Sequence, residues 1–235
     1  MSIFQKLNVP CPNCATPVAF DAVHSVNADR RPDLRQAILT GQFQRKECPA
    51  CGTGFRLDPV FVFNDQRRGQ WIAANGVAAL ADWAEHERAA RELFETSYGA
   101  SAPAVVQAMG RSLKPRLVFG WSALREKIVS AEAGLDDVAL ELTKLVLMRS
   151  AQGAPFEAAV SVRLMSAQPQ RLLFGWVRND DDAVGDLRWI AREAYDEVLA
   201  ETQRGAEGDW AEALETFEGA YFIDVDRLLV LQDGR

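Results

Sequence analysis

The chain has 235 residues, of which 48% are hydrophobic and 25% are charged, and its net charge is -7. A chain of this length buries enough apolar surface to fold without depending wholly on a metal or on disulfides, and the length predicts one or two domains. There is no uncharged apolar stretch of about 18 residues, which predicts no transmembrane helix, and no apolar run at the N-terminus, which argues against a secretory signal. The sequence therefore predicts a cytoplasmic protein that does not associate with membranes.

The charge is unevenly distributed along the chain. Residues 1–70 carry a net charge of +3, and the remainder carries -10. A basic N-terminal region is compatible with a nucleic-acid-binding regulator, provided that its cations share one face. The residues for such a face are Arg30, Arg31, Arg35, Arg45, Lys46, Arg67 and Arg68. The alternative is an ordinary scatter of surface charge.

All four cysteines lie in the first 51 residues, as the motifs CPNC and CPACG. Two residues between cysteines allow one tight turn to present both sulfurs to the same ion, and four thiolates from two turns make a closed tetrahedral zinc site. The predicted zinc ligands are Cys11, Cys14, Cys48 and Cys51. A proline follows the first cysteine of each pair and fixes φ there. Gly52 suits an exit from the second turn with positive φ, whereas Ala15 predicts a slightly different first turn.

Other uses of these cysteines stay open. A thioredoxin-like redox site has one Cys-x-x-Cys pair at the start of a helix, and neither pair here precedes an obvious helix. An iron–sulfur centre or a catalytic metal is a further alternative, although a catalytic zinc keeps one coordination position for water. His24 and His86 are the only histidines, and four cysteines leave neither needed as a ligand.

Short elements are predicted around the two cysteine pairs. Pro17 to Phe20 predicts a strand, and Asp29 to Thr40 predicts a helix with Pro32 in its first turn. Phe43 to Lys46 predicts a strand leading into the second pair, and Phe55 to Phe63 predicts two strands interrupted by Pro59. The region is therefore expected to be a zinc-ribbon-like module with a helical insert. Arg45, Lys46 and Lys6 could offset the negative charge of a four-thiolate zinc centre.

This order of features resembles the CpXC domain family of bacterial and archaeal proteins. The resemblance is carried by CPNC, the segment VNADRRPDLRQAILTGQF, CPACG and a strand ending in FVFND, with a looser similarity from Arg116 to Leu145. It covers roughly residues 9–145. The resemblance implies a zinc site at the four cysteines and implies no reaction.

Helices are predicted through the middle of the chain. Gly76 to Phe94 is rich in helix-forming residues, Ser101 to Met109 predicts a short helix, and Val118 to Ala131 has an amphipathic pattern. Asp136 or Asp137 caps a further predicted helix that includes Leu140 to Met148. A break at Gly153 to Pro155 marks a possible domain boundary.

The pattern changes after this break. Ala158 to Met165 and Arg171 to Val177 predict a β-hairpin, Leu187 to Thr202 predicts a helix, and Tyr221 to Leu231 predicts a final strand. The expected fold is α+β, with a zinc-ribbon-like module at 1–70, a helical region at 71–152 and a small β-β-α-β region at 153–235. The hexapeptides RLVFGW and RLLFGW, beginning at Arg116 and Arg171, are a coincidence or the trace of an ancient duplication.

Few other residues suggest chemistry. The run Asp180, Asp181 and Asp182 could bind a divalent cation but more simply forms a solvated turn that caps a helix. Asp224 and Asp226 could act as paired carboxylates, or could form the polar face of an edge strand. Six tryptophans are expected mostly in the core, and any exposed together would mark a partner surface.

The sequence lacks a Walker phosphate loop, a G-x-G-x-x-G motif and a G-x-S-x-G motif. The leading prediction is a binding protein with a protein partner and a structural zinc ion rather than a catalytic one. A nucleic-acid-binding regulator, and an enzyme with its site in the C-terminal region, remain the alternatives.

Overall fold

The computed structural model describes residues 3–150, 159–205 and 210–228. Its strands are β1 (Ile3–Pro10), β2 (Pro17–Asn27), β3 (Arg45–Glu47), β4 (Gly54–Arg56), β5 (Phe61–Asp65), β6 (Gln70–Asn75), β7 (Lys114–Phe119), β8 (Val160–Ala167), β9 (Arg171–Arg178) and β10 (Val184–Ala191). Its α-helices are α1 (Pro32–Leu39), α2 (Trp83–Tyr98), α3 (Ala104–Arg111), α4 (Trp121–Glu132), α5 (Asp137–Ser150), α6 (Arg192–Gln203) and α7 (Ala211–Phe217). Short 3-10 helices cover Gln66–Arg68 and Val77–Asp82. The mixture of helices and sheets confirms the α+β class.

A mixed five-stranded sheet has the order β1-β2-β5-β6-β7. The pairs β2–β5 and β6–β7 are parallel, and the pairs β1–β2 and β5–β6 are antiparallel. One face packs on α1 and α4 through residues such as Phe63, Ile72 and Leu124. The other face packs on α2 and on Phe222 through residues such as Trp71.

A second sheet has the antiparallel order β10-β9-β8. Buried residues such as Phe174 and Leu164 pack against Leu140 of α5 and Tyr195 of α6. A separate two-stranded ladder joins β3 and β4. The three-region division made from the sequence stays a prediction, and its break at 153–155 lies outside the described residues.

Several predicted elements need correction. Val118 to Ala131 is not one helix, because β7 continues to Phe119 and α4 begins only after Gly120, whose φ is 87°. The predicted helix from Leu187 begins at Arg192, since β10 occupies residues up to Ala191. The sequence analysis also missed β1 and β6.

The predicted final strand from Tyr221 is wrong over its described part. Residues 222–224 have no regular structure and residues 225–228 form a helical turn, while residues 229–231 lie outside the described residues. This segment is fixed by individual backbone and side-chain hydrogen bonds rather than by strand pairing. Tyr221 O accepts the amide of Leu117 at 2.8 Å, and a carboxylate oxygen of Glu87 accepts the amides of Tyr221 and Phe222.

Candidate metal centre

Each cysteine pair lies in a turn between two antiparallel strands. The first turn joins β1 to β2, and the pairing of these strands extends to Pro10 and Pro17 at the turn. The second turn joins β3 to β4, which pair at Glu47 and Gly54. Short hairpins hold the residues of a turn in fixed positions, so each hairpin presents its two sulfurs together.

The two turns have the same backbone hydrogen bonds. Cys11 donates its amide to Thr16 O, and Cys48 donates its amide to Thr53 O, both at 2.9 Å. The residue after the second cysteine has positive φ in both turns, 59° at Ala15 and 71° at Gly52. Positive φ at Gly52 is confirmed. The expected difference at Ala15 is wrong, because Ala15 adopts the left-handed conformation in spite of its Cβ.

The turns bring the four sulfurs into one cluster. The Sγ atoms of Cys11, Cys14, Cys48 and Cys51 all lie within 4.8 Å of one another. Two of the separations that join the turns are 3.7 Å, for Cys11 to Cys51, and 3.6 Å, for Cys14 to Cys48. All four cysteines are free of disulfides. Tetrahedral zinc with bonds near 2.3 Å separates its sulfurs by about 3.8 Å, so the donor set fits a tetrahedral metal ion.

Threonines missed by the sequence analysis support the outer two sulfurs. Thr16 Oγ1 lies 3.3 Å from Cys14 Sγ, and Thr53 Oγ1 lies 3.3 Å from Cys51 Sγ. Hydrogen bonds from the hydroxyl and the amide of Thr16 lower the pKa of Cys14. The same groups of Thr53, with the Asn13 side chain, lower the pKa of Cys51 to about 6. The shared six-residue pattern Cys-Pro-x-Cys-x-Thr could have revealed both threonines.

The inner side of the cluster is apolar. Cys11 and Cys48 are buried with Val18 and Phe20, and Phe55 packs against them. Burial raises the pKa of Cys48 to about 11, although the amides of Ala50 and Cys51 point at its sulfur and lower it. Such a thiol ionises readily only when a cation replaces its lost hydration. The half-buried cluster is therefore suited to a metal ion that neutralises its thiolates.

The histidines lie away from this cluster. His24 is exposed, and its Nε2 is 2.6 Å from Gln5 Oε1, near the end of β2 that is remote from the first turn. His86 lies on α2, with its ring centroid 5.9 Å from that of Phe119. Neither histidine joins the group of metal-competent side chains found among the described residues.

The acidic run forms a turn between β9 and β10. Arg178 pairs with Asp180 and Asp181, and Asp181 accepts the amide of Ala183. Asp182 has a φ of 59° and lies 3.8 Å from Arg56. The solvated turn is confirmed, but its role in capping a helix is wrong because the strand β10 follows.

Most of the candidate nucleic-acid cations are paired with carboxylates. Arg31 pairs with Asp33, Arg67 pairs with Asp29, and both Arg35 and Arg68 contact Asp65 and Glu132. Lys46 donates to Ala19 O at 2.5 Å and lies over the Phe20 ring. Nucleic-acid binding stays a prediction.

The tryptophans divide by exposure. Trp71, Trp121 and Trp176 are buried, Trp83 and Trp210 are half-buried, and Trp189 is 41% exposed. Trp189 lies on β10 with Val184 (44%) and Leu187 (57%), which are also exposed. One edge strand therefore carries several solvent-facing apolar side chains.

Asp224 and Asp226 are buried, so the edge-strand interpretation is wrong. Arg163 Nη1 donates to Asp224 at 2.5 Å, and its Nη2 donates to Asp226 at 2.6 Å. Burial raises the pKa of Asp226, while the charges of Arg163 and of two lysines outweigh burial and lower that of Asp224 to about 2. Both aspartates are therefore paired with Arg163 inside the core.

These aspartates belong to a buried network that the sequence analysis missed. Its ion pairs run from Arg116 to Asp137, Lys127, Glu141, Lys144, Glu126, Arg163, Asp224 and Asp226. The central contacts are short, at 2.6 Å from Lys144 to Glu126 and 2.9 Å from Lys144 to Glu141. The network joins α4, α5 and β8 to the segment after α7.

Comparison with known proteins gives one match. A sequence model described as CpXC protein matches residues 9–144, which include all four cysteines and more than half of the chain. No curated protein and no solved structure matches the chain. No helix among the described residues is long and apolar enough to cross a membrane.

Proposed function

The chain belongs to the CpXC protein family, and from this premise we propose that it is a cytoplasmic binding protein stabilised by one structural zinc ion. The observation that carries the proposal is the clustering of four free cysteine sulfurs within 4.8 Å. Cys11, Cys14, Cys48 and Cys51 would hold the ion in a zinc-ribbon-like module.

The donor set supports zinc and a structural role. Thiolates favour zinc and iron–sulfur clusters over hard cations such as magnesium. Four protein ligands complete a tetrahedron, and no position is left for the water that a catalytic zinc activates. A thioredoxin-like role has less support, because sulfurs from two different turns share one cluster and each turn is followed by a strand.

The ion would link two hairpins that belong to different sheets. β1 and β2 belong to the large sheet, whereas β3 and β4 form a separate two-stranded ladder. An isolated two-stranded ladder is marginally stable at best. Metal binding at its turn therefore acts as folding free energy for the module.

A protein partner is supported by exposed apolar side chains on β10. Val184, Leu187 and Trp189 are solvent-facing on a strand that, among the described residues, pairs only with β9. Exposed apolar patches on soluble proteins mark interaction sites, and tryptophan is enriched where binding energy concentrates.

The test is metal analysis of the purified protein with thiol counting before and after chelation. We expect one zinc ion per chain and four thiols released on its removal. Cys48→Ser should lose most of the zinc and destabilise β3 and β4, while amides of β8 and β9 keep their protection from hydrogen exchange. Ala50→Ser, in the same turn, is the matched control and should keep its zinc.

Two outcomes would contradict the proposal. Unchanged zinc stoichiometry in Cys48→Ser would show that this sulfur is not a ligand. Protein without metal, and with fewer than four free thiols under native and denaturing conditions alike, would favour the redox interpretation.

A further inference from the structure

A polar cavity of about 340 Å³ lies apart from the cysteine hairpins, between the large sheet and helix α4. Its floor is formed by the parallel strands β6 and β7, where Gln70 is opposite Lys114 and Ile72 is opposite Arg116. Lys127 of α4 forms part of its wall, and residues 134–137 form part of its rim. A volume of this size holds a small metabolite.

The cavity is lined by more cations than anions, although the chain as a whole has a net charge of -7. The four cationic side chains are Arg68, Lys114, Arg116 and Lys127, and the two anionic ones are Asp136 and Asp137. Both aspartates are already engaged. Asp137 binds Arg116 and Lys127, at 2.7 and 3.4 Å, and Asp136 Oδ1 accepts two amides at the start of α5.

Lys114 supplies a positive charge that the protein does not neutralise. The residue is exposed, and its side chain makes no hydrogen bond or ion pair with the residues that the structure describes. Arg68, on the same side of the cavity, is 35% exposed and bound to Asp65. An anion in the cavity would therefore meet cations that are accessible from solvent.

The side-chain oxygen of Gln70 lacks a hydrogen-bond donor in the described part of the chain. Its side chain lines the cavity and is buried, with 7% exposure. Its Nε2 donates to Lys127 O at 2.7 Å, and this carbonyl fixes which end of the amide carries hydrogens. Its buried Oε1 has no partner among the described residues. A buried oxygen of this kind is stabilised by an O–H or N–H donor, which the described residues do not supply.

We propose that this cavity binds a small phosphorylated molecule that also carries a hydroxyl group. The phosphate lies toward Lys114 and Arg68, and the hydroxyl donates to Gln70 Oε1. Arg116 and Lys127, held by Asp137, keep the inner wall polar. Sulfate offers only acceptors at neutral pH and leaves Gln70 unsatisfied, so the site discriminates against it. This site goes beyond the zinc-stabilised binding role and does not depend on it.

The test is calorimetric titration of the zinc-loaded full chain with glycerol 3-phosphate and, separately, with sulfate. We expect saturable binding of glycerol 3-phosphate and at least roughly tenfold weaker binding of sulfate, since leaving a buried acceptor such as Gln70 Oε1 without a donor costs a factor of this order. No binding of glycerol 3-phosphate, or equal affinity for sulfate, would overturn the proposal.

Variants locate the site. Lys114→Gln should weaken glycerol 3-phosphate binding roughly tenfold, and Gln70→Leu should reduce the preference over sulfate. Lys6→Gln, the same change on exposed strand β1, is the matched control and should bind as the unmodified chain does. Because Lys114 is exposed, its variant tests the site even if Gln70→Leu does not fold. Equal affinities of Lys114→Gln and Lys6→Gln would overturn the assignment.

Discussion

Arg163 is the cation whose removal should most damage the core. It is 3% exposed, and its guanidinium contacts Asp224, Asp226 and, at 3.4 Å, Glu126. Burial alone would lower the pKa of Arg163, but these carboxylates raise it well above its usual value. The substitution Arg163→Met keeps most of the side-chain volume and removes the charge.

The expected cost follows from the groups left behind. Breaking a buried ion pair by removing one partner costs about 3–5 kcal/mol, because the other charge stays buried without compensation. Here three carboxylates lose a shared cation, so the upper part of that range applies. Since domains are stable by about 5–15 kcal/mol in total, the variant should lose a large fraction of its stability.

The assay is urea unfolding at neutral pH, followed by far-UV circular dichroism. Arg192→Met is the matched control, because Arg192 pairs with Asp196 at 3.1 Å on an exposed helix surface. Exposed pairs of this kind contribute about 0–1 kcal/mol. A loss in Arg163→Met no larger than that in Arg192→Met would refute the reasoning.

A double variant separates charge from packing. In Arg163→Met with Asp224→Asn, one of the uncompensated carboxylates is removed as well. We expect this pair to recover about 1 kcal/mol or more relative to Arg163→Met alone, as coupled neighbours do. Additive losses from the two substitutions would instead assign the effect to packing around Arg163.

Two further predictions concern pH and backbone conformation. Burial raises the pKa of Asp137, but Lys127 and Arg116 outweigh it and lower the pKa to about 2, so its stabilisation is complete above about pH 4 and lost toward pH 2. Asp137→Asn should therefore lower the free energy of unfolding by about 2–3 kcal/mol at neutral pH and by roughly half as much near pH 3, and equal losses in urea unfolding at both pH values would contradict this. Gly52→Ala should cost about 1 kcal/mol because of its positive φ, whereas Ala15→Gly in the matching turn should not destabilise; the same sign for both in thermal unfolding would be the contrary result.

The metal-competent cluster was predictable because its determinants are local. Each Cys-x-x-Cys spacing sets the geometry of one turn. Once two such turns lie side by side, their sulfurs form a four-sulfur group. The backbone of the first turn was less predictable. Ala15 lacks the conformational freedom of glycine. The first turn nevertheless has the same backbone hydrogen bonds as the second, and these impose the same positive φ at Ala15.

The repeated hexapeptides show where local sequence ceases to determine structure. RLVFGW at Arg116 begins in a strand that ends at Phe119; Gly120 has a φ of 87°, and a helix begins at the next residue. RLLFGW at Arg171 lies wholly within β9. There a Cβ at Gly175 would approach Leu187 and Met165 at 3.1 Å, so these two side chains would have to shift to admit it. Two nearly identical hexapeptides thus adopt different structures, and long-range contacts determine which structure each one adopts.

The buried network could not be predicted from helical periodicity. Glu126 and Lys127 on α4, and Glu141 and Lys144 on α5, have the spacing of solvated charges on amphipathic helices. Each is at most 2% exposed, because its partners come from another element. Complementary charge between distant segments carries no signal in a single sequence. Both helices were therefore predicted, apart from the start of α4, and the environment of their charged residues was not.

The placement of residues 221–226 has a consequence for synthesis on the ribosome. Glu87, Leu117, Glu141 and Arg163 all bond to this segment, and even the nearest of them, Arg163, is translated 61 residues before Asp224. Until the segment emerges, a nascent chain holds Arg163 without Asp224 and Asp226 and leaves one face of the large sheet open beside Phe119. The core of this protein is therefore completed only after residue 226 has been translated, and pauses or truncations before that residue should expose it to chaperones and proteases.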